Sequence, residues 1–315
     1  MTIAESARRS CLTVPGSSER FLASAAGLHA DEIILDLEDA VAPGAKEQAR
    51  ALVAEAAAWE WAGRLLAVRI NDATTAWAYR DVIEVVERSG ARLDAIVLPK
   101  VSRPAHVVWL DLLLGQIERA SGLPGGSIAI EAQIEDAAGL AAADEIAAAS
   151  GRLAALIFGP ADFMASVGMR SLRIGAQPAG YAGGDAFHYP MLRILVAARA
   201  AGLQAIDGPY AAIGDPGGLA VSAASAAALG YDGKWVLHPA QIEPVNSAFS
   251  PDQEEYDRAE MILDVYQHAT SVRQRGAVMH GDEMIDEASR KLALVAAARG
   301  RAAGLTRTAS FSPPA

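Results

Sequence analysis

The chain has 315 residues, a length that fits about two average domains or one α/β barrel of about 200 to 250 residues with an extension. Its 27 basic and 38 acidic residues give a net charge of −11; that argues against a nucleic-acid partner and leaves room for an anionic ligand in a locally positive pocket. The lone cysteine, Cys11, excludes an internal disulfide and suits a reducing interior. The opening residues show no apolar signal region, and no uninterrupted apolar run reaches the length of about 18 residues that a membrane helix needs. The reading is a soluble cytoplasmic protein.

Short apolar runs bounded by turn residues recur along the chain. They are Leu12 to Pro15, Glu32 to Leu37, Leu65 to Asn71, Ala95 to Lys100, Ile128 to Glu135, Ala154 to Gly159, Gln204 to Pro209 and Lys234 to Pro239. Between them, apolar residues at three- and four-residue spacing predict helices over Ser18 to Leu28, Lys46 to Trp59, Ala76 to Glu87, Ala105 to Ala120, Asp136 to Ala149, Phe187 to Ala201 and Gly217 to Leu229. Strands that are apolar throughout belong in a parallel sheet covered by helices on its outer face. Eight of them alternating with helices predict a closed (β/α)₈ TIM barrel over residues 1–245. An open doubly wound sheet would need a glycine-rich phosphate turn after its first strand, and Pro15-Gly16-Ser17-Ser18 is too short for one. Residues 246–315 form a C-terminal helical extension that packs on a neighbour or folds over the barrel mouth. Ser250 caps its first helix with Pro251 at the first position, a polar break follows from Ser271 to Gly281, and a second helix runs on from Asp282. Thr306 to Ala315 is expected to fray.

In such barrels the site lies at the C-terminal ends of the strands. The fifth and sixth runs deliver Glu135 and Asp162 at neighbouring ends, where two close carboxylates repel unless a proton or cation joins them. One or two carboxylates completed by water and substrate suit a magnesium ion; a solvated first-turn Glu135 and a helix-capping Asp162 are the alternative. The second run ends Asp36-Leu37-Glu38-Asp39, and alternation puts Asp36 and Glu38 on one side of the strand, facing the mouth. Arg69 inside an apolar run requires an anion, so it pairs with these acids and grips a substrate carboxylate two-pointed. Lys100 either neutralises the acids or forms a Schiff base, with the first reading favoured. His238 is read as a hydrogen-bond donor in preference to a metal ligand.

The segments Asp36-Leu37-Glu38-Asp39-Ala40-Val41, Val68-Arg69-Ile70-Asn71, Leu98-Pro99-Lys100, Ile134-Glu135-Asp136-Ala137, Phe158-Gly159-Pro160-Ala161-Asp162-Phe163 and Gly233-Lys234-Trp235-Val236-Leu237-His238-Pro239-Ala240-Gln241-Ile242 occur in this order. Together they resemble the citrate lyase beta-subunit and malyl-CoA lyase family, from about Arg8 to Arg299. Gly184-Asp185-Ala186-Phe187-His188-Tyr189-Pro190 and Ala205-Ile206-Asp207-Gly208-Pro209-Tyr210 are most similar to its malyl-CoA and β-methylmalyl-CoA lyases. The resemblance implies a TIM barrel, a Mg²⁺ cofactor with Mn²⁺ as a substitute, and a carbon–carbon bond made or broken beside a CoA thioester. It assigns Glu135 and Asp162 to the metal, Arg69 to the substrate carboxylate, and the catalytic acid–base role to Asp286 in Met284-Ile285-Asp286-Glu287-Ala288, on a segment that closes over a neighbouring subunit of a homotrimer or homohexamer. Asp136 departs from the threonine that many members carry there.

These parts suit cleavage of a 3-carboxy-3-hydroxyacyl-CoA, such as L-malyl-CoA or β-methylmalyl-CoA, to acetyl- or propionyl-CoA and glyoxylate, or the reverse condensation. The expelled enolate takes a proton from a carboxylic acid on a mobile lid. CoA is expected near the first strand, with Arg20 a candidate contact and Asp36 and Glu38 as further substrate-binding groups. Citramalyl-CoA cleavage with pyruvate as the oxo acid, malyl-CoA thioester hydrolysis, a citrate-lyase-beta-like subunit and a Schiff-base aldolase using Lys100 or Lys234 stay open.

Overall fold

The computed structural model describes residues 6–272 and 274–309. Eight strands alternate with helices: β1 Ser10–Pro15, α1 Glu19–Ala25, β2 Glu32–Asp36, α2 Lys46–Ala56, β3 Leu65–Arg69, α3 Ala78–Ser89, β4 Ala95–Leu98, α4 Pro104–Ala120, β5 Ala129–Ile134, α5 Ala137–Ala141, α6 Ala143–Ala147, β6 Leu153–Phe158, α7 Pro160–Ser166, α8 His188–Ala200, β7 Gln204–Asp207, α9 Pro216–Leu229 and β8 Gly233–Val236. Each strand pairs in parallel with the next, and β1 also pairs with β8, so the barrel closes. The (β/α)₈ expectation holds.

Alternation along each strand sorts the side chains. Cys11, Ile34, Ala67, Val97, Ala129, Ile157 and Trp235 belong to one buried cluster. Their neighbours in sequence, such as Ile33, Leu35, Leu66, Val68, Ile96 and Ile130, are also fully buried, because outward-facing residues lie under the helices. Polar side chains share the inner face: Glu32 and Asp36 alternate with Ile34 on β2, and Glu131 and Gln133 continue the face of Ala129 on β5. At the N-terminal floor Arg8 donates to Glu131 and Gln204, and through Nη2 to the Ala154 carbonyl at 3.3 Å. Glu32, Glu131 and Arg8 are all sealed from solvent. Burial first, and then the charge of Glu131, push the Glu32 carboxyl well up.

The chain divides into two compact units after Asn246, a boundary that falls inside α10 (Ile242–Ala248). The second unit holds α11 (Gln253–Ser271), a hairpin of β9 (Val278–His280) and β10 (Glu283–Ile285), and α12 (Glu287–Ala302). Tyr256 and Ala259 of α11 form its small core with Ala293 and Ala297 of α12. Several sequence expectations need correction. The cap of α11 is Asp252: its carboxylate accepts the Glu255 amide at 2.8 Å while Glu255 reaches back to the Asp252 amide, so Ser250 and Pro251 lie outside the helix. The helix expected over Asp136 to Ala149 is broken into α5 and α6. The polar break ends in β9, and β10 occupies Glu283–Ile285, where the second helix was expected, so α12 starts only at Glu287; the hairpin is closed by Gly281-Asp282 with Gly281 at φ +63°, the positive φ that a two-residue turn requires. Residues expected to fray are tied at Thr306, whose carbonyl accepts from Gln253 at 3.0 Å, and at Thr308, whose amide donates to Asp257 at 2.9 Å; residues 310–315 lie outside the described ones. No helix among the described residues is long and apolar enough to cross a membrane.

Candidate active site

The parallel register of β2 and β3 places Asp36 beside Arg69 at the C-terminal mouth of the barrel. Arg69 donates from Nε and Nη2 to the two Asp36 oxygens at 2.7 and 2.6 Å, and its Nη1 lies 3.0 Å from Glu38 Oε2. The guanidinium centre stands 5.2 Å from the centroid of the Trp235 ring. Burial opposes its charge, yet Asp36 and Glu38 outweigh that and hold Arg69 above its usual range. Burial likewise works against the Asp36 carboxylate, but Arg69 and the amides of Glu38 and Ala40 keep it below the usual carboxylate value. A guanidinium carries five N–H donors; Nε and Nη2 bond Asp36 and Nη1 pairs with Glu38, so N–H groups remain for a further carboxylate. Arg69 is thus paired internally, as expected.

Across the mouth, Glu135 follows β5 directly and is buried. Its oxygens accept the Lys100 backbone amide and the Gln133 side-chain amide, each at 2.6 Å. Gly159 makes this possible: a Cβ there would collide with the Glu135 carboxylate and the Gln133 amide, and the Gly159 amide donates to the Ile134 carbonyl at 3.0 Å. The turn continues into α7, whose first helical turn carries Asp162 with 42 % of its side chain exposed. Lys100 joins the two sides. Its φ of +52° is unusual for a lysine, and its ammonium pairs with Glu38, lies 3.4 Å from Asp39 and 3.3 Å from Asp162. Burial disfavours that ammonium, but Glu38 and Asp39 prevail and hold Lys100 above its ordinary value. Burial, and then the charges of Glu38 and Asp162, push the Glu135 carboxyl up to about 8.

Five carboxylates (Asp36, Glu38, Asp39, Glu135 and Asp162) therefore face Arg69 and Lys100, with Lys46 donating nearby to the carbonyls of Leu37 and Glu38. The cluster is short of positive charge at Glu135 and Asp162, and this fits a hard divalent cation. Among the described residues no three His, Cys, Asp or Glu side chains could hold a metal by themselves. A magnesium ion takes one or two carboxylates and keeps positions for water and substrate.

The HpcH/HpaI aldolase/citrate lyase family matches residues 9–239. The chain belongs to this family. An L-malyl-CoA/beta-methylmalyl-CoA lyase of Cereibacter sphaeroides is 39% identical over 290 residues, covering 89% of this chain and 91% of that one. A (3S)-malyl-CoA thioesterase of the same species is 36% identical over 276 residues, covering 87% and 88%. Protein CitE of Mycobacterium tuberculosis, solved in complex with magnesium, acetoacetate and coenzyme A, superposes with a TM-score of 0.73 at 30% identity, covering 94% of this chain and 99% of that one.

Other candidates in this citrate-lyase-family chain make contacts of their own. Arg20 is exposed on α1, its guanidinium 4.8 Å from the Phe21 ring centroid. Asp136 is the N-cap of α5 and accepts the Gly139 amide at 2.5 Å, so its charge is engaged locally. His238 is exposed and its Nδ1 accepts the Ala240 amide at 3.1 Å, which leaves Nε2 as the ring's donor. Lys234 is buried, donating to Asp207 at 2.5 Å and to the Gly208 carbonyl at 2.8 Å, and lines a cavity of about 630 Å³ together with Asp207, Phe158, Phe187 and Tyr210. In the second unit Asp286 caps α12, accepting the amides of Ala288 at 2.9 Å and Ser289 at 3.1 Å, and these bonds, Ser289 first, hold its carboxyl below the usual range. The roles of Gln133 behind Glu135 and of Trp235 beneath Arg69 were not anticipated; Gln133, two residues before Glu135 on one strand face, carried the signal.

Proposed function

We propose that this chain is a Mg²⁺-dependent carbon–carbon lyase of the cytoplasm that cleaves L-malyl-CoA or β-methylmalyl-CoA to glyoxylate and acetyl- or propionyl-CoA, and can run the condensation in reverse. The observation that carries this reading is Glu135 and Asp162 both reaching Lys100 at the mouth, the first at its backbone amide and the second at its ammonium, beside the Arg69 guanidinium. Glu135 and Asp162 would hold the ion, which when bound would polarise the substrate's carboxylate and hydroxyl oxygens. Arg69 takes the substrate carboxylate on its remaining N–H groups, and Asp36 and Glu38 fix the plane of the guanidinium. Scission leaves the bonding electron pair in the thioester enolate, whose carbon takes a proton from Asp286; in the condensation the same residue removes it. The Asp286 carboxylate, bound by amides at a helix start, is held ionised, which serves the condensation; in cleavage it must first take up a proton, and the one that the substrate hydroxyl gives up as its carbon becomes a carbonyl keeps the balance. We place Asp286 on a lid that acts on the barrel of another subunit in a homotrimer or homohexamer, where closure keeps water from the enolate.

The Schiff-base reading requires a neutral amine, whereas Lys100 is held as an ammonium among carboxylates and Lys234 is buried in an ion pair. The thioesterase reading is favoured by the 36%-identical relative and uses the same residues. A panel of acyl-CoA thioesters assayed with Mg²⁺ and followed by mass spectrometry separates the two. Malyl-CoA should yield glyoxylate and acetyl-CoA, and Asp286→Ala should lose this turnover; free CoA with malate would establish hydrolysis instead.

A further inference from the structure

Lys100 is built in two parts with different freedom. Its backbone is fixed: the amide donates to Glu135 Oε1 at 2.6 Å, and the residue is held at φ +52°. Its side chain is a flexible four-carbon stem, 32 % exposed, that ends among Glu38, Asp39 and Asp162. These three acids are unequal. Glu38 is buried and already shared with Arg69. Asp39 is largely exposed and accepts from the ammonium at 3.4 Å. Asp162 has no hydrogen-bond or ion-pair partner among the described residues other than the Lys100 ammonium, 3.3 Å away.

That ammonium therefore stands where the positive charge of a metal held by Asp162 would act. Two cations drawn to the same carboxylate repel one another, and the lysine can leave Asp162 and still be paired, since Glu38 and Asp39 remain within its reach. The backbone amide on Glu135 is undisturbed by such a swing. We propose that Lys100 is an internal counter-ion which competes with the divalent ion for Asp162: it neutralises the metal-free mouth and moves off Asp162 when the ion binds. This rests on the metal reading of Glu135 and Asp162 given above and adds a residue that sets how tightly the ion is held. It also means that loading the metal turns the ammonium towards Glu38, Asp39 and the open mouth, so that the positive charge of the side chain is kept in the site.

A lysine that instead organises the ligands would have the opposite signature on removal. The test is calorimetric titration of Mg²⁺ into the metal-stripped full-length protein, with Lys100→Met, Lys100→Arg and Glu135→Ala alongside, and with melting temperatures taken in EDTA and in Mg²⁺. Lys100→Met should bind Mg²⁺ at least about tenfold more tightly, the scale on which one like-charged neighbour acts on a charged site. It should also melt lower than wild type in EDTA and gain more from Mg²⁺. Lys100→Arg, which keeps the charge, should bind no more tightly than wild type. Mg²⁺ binding that is unchanged or weakened in Lys100→Met, with wild type binding and Glu135→Ala not, would overturn the role of Lys100 alone. Absence of binding to wild type would remove the metal site as well, and the two failures are thereby told apart.

Discussion

Strands β2 and β5 each carry acids at both levels of the barrel interior, and the two levels behave differently. At the floor, Arg8 pairs with Glu131 and donates to Gln204 and the Ala154 carbonyl in a sealed space, with the equally buried Glu32 on the same inner face. At the mouth, Asp36 and Glu135 meet Arg69 and Lys100, but the ring of partners ends in Asp162 and Lys100, both partly exposed. Residue types are nearly the same in the two places. A sealed ion pair has no other partner to turn to, so losing one member leaves an uncompensated charge; an open one can trade a lysine for a metal or a substrate. The comparison locates function in access to solvent more than in acid content.

The largest effect that would sharpen this contrast is on stability. Arg8→Met leaves Glu131 buried without its cation and should cost about 3–5 kcal/mol in urea unfolding, while the folded fraction keeps its turnover. A loss of activity at unchanged stability would mean that the floor serves the chemistry. A smaller, functional effect is expected at the mouth. Arg69→Lys keeps the charge but gives up the planar two-point grip, so glyoxylate should bind about tenfold more weakly, or roughly 1.4 kcal/mol; unchanged glyoxylate inhibition would make Arg69 purely structural. The smallest effect concerns pH. Burial and the charge of Glu131 hold the Glu32 carboxyl well above its usual range in the folded protein, while in the unfolded chain it ionises near about 4.3, so the folded state binds more protons and stability falls as pH rises above that value. Glu32→Gln keeps the shape and removes the titration, and should flatten that decline in unfolding experiments from about pH 5 upward. An undiminished decline would place its origin elsewhere.

The barrel was legible because its strands are short, apolar throughout and spaced by helical patterns, and Asp36, Arg69, Glu135 and Asp162 were legible because each sits where an apolar run ends. The pairing of Arg69 and Lys100 with the acids was legible too; what sequence reasoning could not supply were the backbone contacts. Nothing in Leu98-Pro99-Lys100 announces a positive φ that aims a backbone amide at Glu135, and the approach of Gly159 to Glu135 exists only once β5 and β6 lie side by side. Gly281-Asp282 was a readable hairpin signal, hidden by the polarity of its surroundings. Ser250-Pro251 looked like a cap because proline often opens a helix, yet the carboxylate of Asp252 together with Glu255 forms the reciprocal capping box and wins.

The central claim is that turnover depends on a divalent ion held by Glu135 and Asp162. Its most direct test is to strip the protein with EDTA, titrate Mg²⁺ back, and follow malyl-CoA cleavage and Mg²⁺ occupancy in the same samples, for wild type, Glu135→Ala and Asp162→Ala. Cleavage in wild type should rise in proportion to occupancy, and both folded variants should fall by about 10³-fold or more, as expected when several kcal/mol of charge stabilisation are lost. Full cleavage by the stripped enzyme, or by either variant without bound Mg²⁺, would contradict the account.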